Sequence, residues 1–407
     1  MKAQTLAKSI DVLDPDRALT TLQELDAFFV ERADSPIFEI ADLLKNAVSS
    51  PAKILFTGQR GSGKSTEISK LCTILPEFFI VPFSIKDRVN LFDISYVDVM
   101  LATATELIRK ATEDHVTLDK SLLEDIYHWF RAERIFEETV EGSAKGNISA
   151  SLNMLVVKLQ TKFGTEASTR TTIRTRIEPR LSELIERINL IIAALETELK
   201  KRVLIIVEDL DKTDLAKAAE LFVGHAMTLT SPNCMVIYTY PIALRHDTNF
   251  RNMCQNFDEH FVLPNFKIFH KDGRDNLDGI GHLKKLVYNR LEEKLIAPDA
   301  LDSVIRLCGG LPRELIRLCR RAALLAIGKK KSVIDKECID QAANRLRNDY
   351  RYFLTTTQIE MLKKVRQTKT IDNTPEYRDL LHSLSILEFA NRDLWFDVHP
   401  VIGELLD

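Results

Sequence analysis

The sequence predicts an α/β fold, a parallel sheet with helices on both faces, followed by a helical segment and a small terminal module. Three observations carry this. Short apolar runs of strand length recur at Lys53–Thr57, residues 79–83, residues 203–207, Met235–Thr239 and residues 260–263; such runs suit strands buried on both faces. Helical segments lie between most of them, and strand–helix alternation is the pattern of a covered parallel sheet. After the last run the rhythm turns helical, then ends in two helices and two short strand-like pieces.

Taken in order, residues 1–50 read as helices, with amphipathic spacing over 18–30 and 37–47. Pro51 stops the helix and the first strand begins. The stretch between Lys64 and Glu208 is far longer than a strand and a helix need, because α/β connections usually run about 2–6 residues. An insertion is therefore expected near 113–172, with a small, polar loop at its middle, TVEGSAKGNISAS, residues 139–151. Helix returns over 173–200. Beyond the sheet, residues 281–290, Pro298–Leu307, 313–327 and 336–351 read as helices. Helices at 357–365 and 375–383, then strands at 386–389 and Leu394–Val398 joined at Asn391-Arg392-Asp393, make a winged-helix pattern. The expected division is an N-terminal helical region (1–50), a sheet core (51–270), a helical lid (271–354) and a winged-helix-like module (355–407).

Composition narrows the class. The chain has 407 residues, too many for one ordinary domain. Hydrophobic residues make up 45% and charged residues 28%, as in a soluble globular protein. A net charge of −3 gives no global field toward nucleic acid or an anionic membrane. No apolar run approaches the roughly 20 residues that span a bilayer, and the first residues lack the apolar stretch of a signal peptide. Cys72, Cys234, Cys254, Cys308, Cys319 and Cys338 are scattered without a C-x-x-C pair. Reduced thiols, no zinc site and a cytoplasmic location are expected.

The strongest motif is ILFTGQRGSGKST, residues 54–66, which holds G-x-x-x-x-G-K-S. An apolar strand delivers the loop of Gly58, Gln59, Arg60, Gly61, Ser62, Gly63, Lys64, Ser65 and Thr66. Its backbone N–H groups can turn inward around a phosphate. The helix that follows points its positive end at the same anion. In such a loop Lys64 bridges the β- and γ-phosphates, and the Ser65 hydroxyl completes the shell of a Mg²⁺ ion. ATP with Mg²⁺ is the implied ligand.

RVLIIVEDLDK, residues 202–212, is an apolar strand ending in acids. If the strand ends at Val207, Glu208 holds Mg²⁺ through water and Asp209 polarises the attacking water. The usual order is Asp first, so the pair departs from it, which bears on hydrolysis rate and not on nucleotide binding. The register Asp209 and Asp211 is the alternative. Thr239 ends a further apolar strand, placed to touch the γ-phosphate or the water. In CGGLPRELIRLCRRA, residues 308–322, Gly309-Gly310-Leu311-Pro312 makes a tight turn before a helix. Arg313 opens that helix and is a candidate for reaching the γ-phosphate. Arg317, Arg320 and Arg321 fall with it opposite the apolar stripe. Arg174, Arg176 and Arg245 are candidates for an arginine donated between subunits.

GQRGSGKST, LIIVEDLDK, MVIYTYP, GGLPREL and LLHSLSILEFANRDLWFDVHP stand in the order phosphate loop (Walker A), acidic strand (Walker B), sensor strand, lid and winged helix. Together they resemble the AAA+ branch that includes origin-recognition ATPases and STAND signalling ATPases, over most of residues 35–407. The resemblance implies an ATPase with Lys64, Ser65, Glu208, Asp209, Thr239 and Arg313 as site positions. It also implies a regulatory role, as in bacterial stress, signalling or anti-phage (antiviral) defence systems, with a protein partner and ATP-dependent self-association.

DNA is the alternative partner. From residue 355 to the end there are six basic and nine acidic residues. Because cations dominate nucleic-acid affinity, that balance fits a protein-contact module. From 306 to 351 there are twelve basic and five acidic residues, which leaves DNA loading or remodelling by the lid open. A nucleotide-binding scaffold with little turnover is the third reading.

Overall fold

The computed structural model describes residues 2–132, 167–390 and 394–407. Five parallel strands form one sheet: β1 (Lys53–Thr57), β2 (Phe78–Ser84), β3 (Arg202–Glu208), β4 (Met235–Thr239) and β5 (Glu259–Val262). Their order is β2-β3-β4-β1-β5. Ile54 pairs with Ile237 on one side and Glu259 on the other, and Ile205 pairs with Val81 and Val236. Every residue of β1 and β4 is buried. The five apolar runs of the sequence are thus the five strands, within a residue or two at each end.

Strand residues alternate between faces, and both faces are covered. Leu55, Val203, Ile205, Val207, Val236 and Tyr238 share a core with helices Tyr96–Glu113 and Leu181–Leu199. Ile54, Phe56, Leu204, Ile206 and Ile237 share another with helices Ile37–Asn46 and Lys64–Thr73. Helix Lys120–Ala132, expected in an insertion, joins the first core through Leu123, Ile126, Trp129 and Phe130. Trp129 donates its indole N–H to Glu183 at 2.8 Å, and Arg187 lies over its ring at 5.2 Å. The polar stretch 139–151 and the turn 391–393 lie outside the described residues.

A third core lies among the helices that follow the sheet, and the first helix of the chain joins it. Helix Leu6–Val12 puts Leu6 into a cluster with Leu315, Leu318 and Ala322 of helix Pro312–Gly328. The Ala3 amide donates to the Arg290 carbonyl at 2.8 Å, and the Glu292 amide donates to the Ala3 carbonyl at 3.0 Å. Residues 1–50 are therefore divided: the start of the chain packs with the lid, and Ile37–Asn46 packs with the sheet. The terminal helices Thr356–Thr368 and Pro375–His382, with the hairpin β6 (Ile386–Ala390) and β7 (Leu394–Val398), share the lid's core through Leu362, Leu380, Phe396 and Val401. A small cluster of Leu311, Leu387, Phe389 and Trp395 joins the lid turn to the hairpin.

All six cysteines are unpaired. Among the described residues no helix is long and apolar enough to cross a membrane, and no cluster of His, Cys, Asp and Glu could hold a metal by itself.

The lid turn rests directly on the sheet's exit. Gly310 has φ 81°, and a Cβ there would stand 1.9 Å from the Phe266 carbonyl oxygen. That carbonyl belongs to backbone, so it cannot rotate away. Gly310→Ala is expected to lower unfolding stability by roughly 2–4 kcal/mol, from left-handed strain and overpacking together. Urea titration checks this; an unchanged midpoint would show that the turn relaxes freely.

Candidate functional site

The site lies at the carboxyl ends of the strands. Strand β1 runs into the loop of residues 58–63, and helix Lys64–Thr73 follows with Gly63 as its N-cap. Gly61 has φ 85°, and a Cβ there would meet the Arg313 Cβ at 2.8 Å. Glycine is needed on both counts.

Four residues of this loop, Gln59, Arg60, Gly61 and Ser62, are held from outside. Buried Arg32 donates to the Ser62 carbonyl at 2.5 Å, the Pro264 carbonyl at 2.7 Å and the Glu67 carboxylate at 3.2 Å. Its guanidinium lies 4.1 Å from the Phe266 ring centroid. Buried Gln59 turns away from the cleft and donates to the Ile386 carbonyl at 2.8 Å. Its side-chain oxygen accepts from the Glu388 amide at 3.1 Å and from Asn265. Arg60 meets His382 Nε2 at 2.6 Å. Burial first, then the neighbouring Arg60, push the His382 imidazole down to about 4; it is neutral and accepts that bond. The Arg313 amide donates to the Gly61 carbonyl at 3.2 Å.

Lys64 is buried and does not project freely. Its ammonium donates to the carbonyls of Gly58 at 2.8 Å and Gln59 at 3.2 Å, and pairs with Asp211 at 2.9 Å. Glu208 is the last residue of β3, and it faces the same cleft as Ser65. Burial pushes Glu208 up to about 7; the neighbouring Ser65 hydroxyl opposes this, and Asp209 and Asp211 add to it.

Asp209 takes a left-handed φ of 70°, which aspartate tolerates better than most side chains. Its carboxylate accepts from Ser84 at 2.7 Å and pairs with Lys212 at 2.5 Å and Lys86 at 3.3 Å. Burial works against its charge, but Lys212, Ser84 and Lys86 outweigh it and hold the pKa below the usual value. The three acids are thus sorted: Glu208 faces the cleft beside Ser65, Asp211 pairs with Lys64, and Asp209 is held by Ser84 at the end of β2 and by Lys86 and Lys212. Thr239 is buried at the end of β4, between β3 and β1, with its hydroxyl 3.4 Å from the Val207 carbonyl.

The arginines depart from expectation. Arg313 touches the loop by its backbone, while its guanidinium donates to the Pro15 carbonyl at 3.2 Å and lies 3.9 Å from Asp16. Arg317 pairs with Glu314 at 2.6 Å, Arg320 with Asp14 at 3.5 Å and Arg321 with Asp349 at 4.0 Å. Two candidates for donation between subunits are committed within their own chain. Arg174 pairs with buried Asp98 at 2.5 Å and with Asp93 at 3.6 Å, and Arg245 pairs with buried Glu388. Arg176 is engaged as well.

The loop and the acids line one cleft of about 800 Å³, within the range of small-molecule sites. Lys64, Ser65, Thr66, Glu208, Asp209, Asp211, Thr239 and Arg313 all face it. So do residues that no motif marked: the segment Pro15 to Thr20, Phe28, Phe29, Leu286, Arg290 and Ile316. They come from the chain's start and from the lid, and only the packing of those two parts brings them together.

No protein-family model matches the chain, and no curated protein matches it. Among solved structures, the chain is similar to Cdc6p from Pyrobaculum aerophilum, at 12% identity over 97% of each chain with a TM-score of 0.43. It is similar to a Walker-type ATPase of Pyrococcus abyssi, at 12% identity over 97% of this chain and 99% of that one, TM-score 0.47. It is also similar to the ORC1 protein of Aeropyrum pernix, solved in complex with DNA, at 13% identity over 98% of this chain and 95% of that one, TM-score 0.44. At such identities and scores the likeness carries over no residue's role, substrate or partner.

The raised pKa of Glu208 has a stability consequence. An acid whose folded pKa exceeds its unfolded value adds stability that is fully present below the unfolded value of 4.5 and is lost as pH rises through about 7. Without nucleotide or divalent metal, Glu208→Gln is expected to match wild type in melting point at pH 4.5 and to exceed it at pH 8. Parallel melting curves across that range would show that Glu208 titrates normally.

Proposed function

We propose that the chain is a Mg-ATP-binding ATPase of the AAA+ type that works as a nucleotide-driven switch on a protein partner. The observation that supports it best is that Ser65, in the first turn after the phosphate loop, and Glu208, at the end of the acidic strand, face one cleft of nucleotide size. Their side-chain oxygens are hard ligands of the kind that suit Mg²⁺, and Ser65 and Glu208 would hold the ion, Glu208 through water. Bound there, Mg²⁺ neutralises developing charge on the phosphates.

The chain's own residues supply the rest. Loop amides and the start of helix Lys64–Thr73 bind the β-phosphate. Lys64 leaves Asp211 to meet the β- and γ-phosphates. Asp209 is the candidate for orienting the attacking water, but its carboxylate is tied to two lysines, so turnover is slow. Thr239, at the end of the strand between loop and acids, is placed to sense the γ-phosphate. Arg313 closes the cleft from the lid. A regulatory role, in signalling or in anti-phage defence, accords with a phosphate loop bonded directly to the terminal module.

DNA loading or remodelling is the second reading, favoured by the basic lid. Eight of the twelve basic residues between 306 and 351 are in ion pairs, which leaves less charge for a phosphate backbone and favours the protein partner. Turnover stimulated severalfold by DNA would reverse that preference.

Lys64→Ala is expected to abolish measurable ATP binding by calorimetry while the fold persists. Asp209→Asn is expected to slow turnover at least tenfold and to change ATP affinity by less than about threefold, since removing one positioned catalytic group typically costs 10²–10⁴. Wild-type affinity in Lys64→Ala would remove the phosphate loop from the site. Wild-type turnover in Asp209→Asn would pass the catalytic role to Asp211.

A further inference from the structure

Arg32 lies between helices Leu22–Phe28 and Ile37–Asn46, and its side chain is 4% exposed. Each of its three guanidinium nitrogens is bonded to a different element. Nε donates to Glu67 at 3.2 Å, in the first turn of helix Lys64–Thr73. Nη1 donates to the Pro264 carbonyl at 2.7 Å, just beyond β5. Nη2 donates to the Ser62 carbonyl at 2.5 Å, inside the phosphate loop. The guanidinium carbon lies 4.1 Å from the Phe266 ring centroid, so an aromatic face holds the plane as well. Only a rigid planar fork can serve three acceptors in three directions at once.

The bond to Ser62 sets the orientation of the next amide. A trans peptide unit carries its C=O and N–H in opposite directions, and the Ser62–Gly63 unit is trans. With the Ser62 carbonyl on Arg32, the Gly63 N–H points away from Arg32. Gly63 has φ 105° and lines the cleft. A glycine enters that region freely but leaves it as freely, so Gly63 cannot fix the plane by itself. The bond to Glu67 does a second thing. An unpaired carboxylate in the first turn of this helix would oppose an anion at the helix N-terminus. Arg32 binds one of its oxygens, and the Ser35 hydroxyl donates to the other at 2.7 Å.

We propose that Arg32 is the positioning residue of the phosphate loop: it turns the Ser62–Gly63 peptide so that the Gly63 N–H meets the bound phosphate, and it cancels the charge of Glu67 beside that site. This rests on the reading that the cleft holds a nucleotide. All three nitrogens are committed to the protein, so Arg32 acts through the peptide it holds and not as a cation offered to the ligand. Through Pro264 and Glu67 the same plane bolts the loop to the exit of the neighbouring strand and to its own helix. A residue with this role affects every ligand that carries a polyphosphate by the same factor, whatever the rest of the ligand is.

The test measures the affinity of the full chain for ATP and inorganic tripolyphosphate in wild type, Arg32→Lys, Arg32→Ala and the double variant Arg32→Ala, Glu67→Gln. Arg32→Ala is expected to weaken both ligands equally, about ten- to a hundredfold, the weight of one charge-assisted hydrogen bond. Added guanidinium ion, at a concentration that leaves wild type folded, is expected to restore most of that loss, and ammonium ion is not. Arg32→Lys keeps the charge and loses the fork; it is expected to melt like wild type and to lose about tenfold in both affinities. Adding Glu67→Gln to Arg32→Ala is expected to recover only part of the loss. Affinity in Arg32→Lys within about twofold of wild type would overturn the proposal, and decides it if Arg32→Ala does not fold. Full recovery in the double variant would also overturn it, because charge and not orientation would then be the cause. So would guanidinium that restores the melting point of Arg32→Ala and not its affinity. A wild-type protein that binds neither ATP nor tripolyphosphate would instead overturn the nucleotide reading itself.

Discussion

The phosphate loop must hold its backbone amides turned toward one point, and the rest of the structure depends on that constraint. A loop of six residues cannot enforce this alone, since a left-handed glycine is flexible by nature. Here the geometry is imposed from outside. Arg32 fixes the Ser62 carbonyl, Gln59 is bonded to the terminal hairpin, and the lid amide of Arg313 reaches Gly61. The loop's conformation is thus fixed by bonds on the side away from the cleft.

The same arrangement couples the parts of the chain. The sheet, the lid, the chain's start and the terminal module all touch one loop, so no displacement of that loop is private to the sheet. Lys64 is the other half of the coupling. Its pairing with Asp211 must break for a phosphate to be bound, and Asp211 sits one residue from Lys212, which holds Asp209. An ion exchange at Lys64 therefore changes the field on all three acids. Arg313 is similarly poised, with its guanidinium on Pro15 and Asp16 and its amide on the loop.

Much of this was legible in the sequence, for identifiable reasons. The five strands could be read because both faces are buried and each run is short and wholly apolar. The phosphate loop and the acidic strand could be read because their chemistry needs fixed spacing within one segment. The acids' separate duties could not, because Glu208, Asp209 and Asp211 are near neighbours in sequence and only the left-handed turn at Asp209 sends them apart. Nor could the pairing of Arg245 with Glu388 or of Arg174 with Asp98, since those partners lie far away along the chain. What the N-terminal helices pack against could not be read, because amphipathic spacing marks a buried face without saying what buries it. Val30 and Ile37 both fall in amphipathic stretches and enter different cores. Phe28 and Arg290 carried no motif at all, and only the packing of the chain's start on the lid brings them to one cleft.

The account's central claim is that nucleotide at the phosphate loop is felt by the lid and the terminal hairpin. Amide hydrogen exchange of the full chain, compared without nucleotide, with ADP and with a non-hydrolysable ATP analogue, tests it most directly. The account predicts that the analogue with Mg²⁺ slows exchange in the first turn of helix Pro312–Gly328 and changes it in β6, and that ADP does so less. Protection confined to the phosphate loop and helix Lys64–Thr73, identical for the two nucleotides, would contradict it.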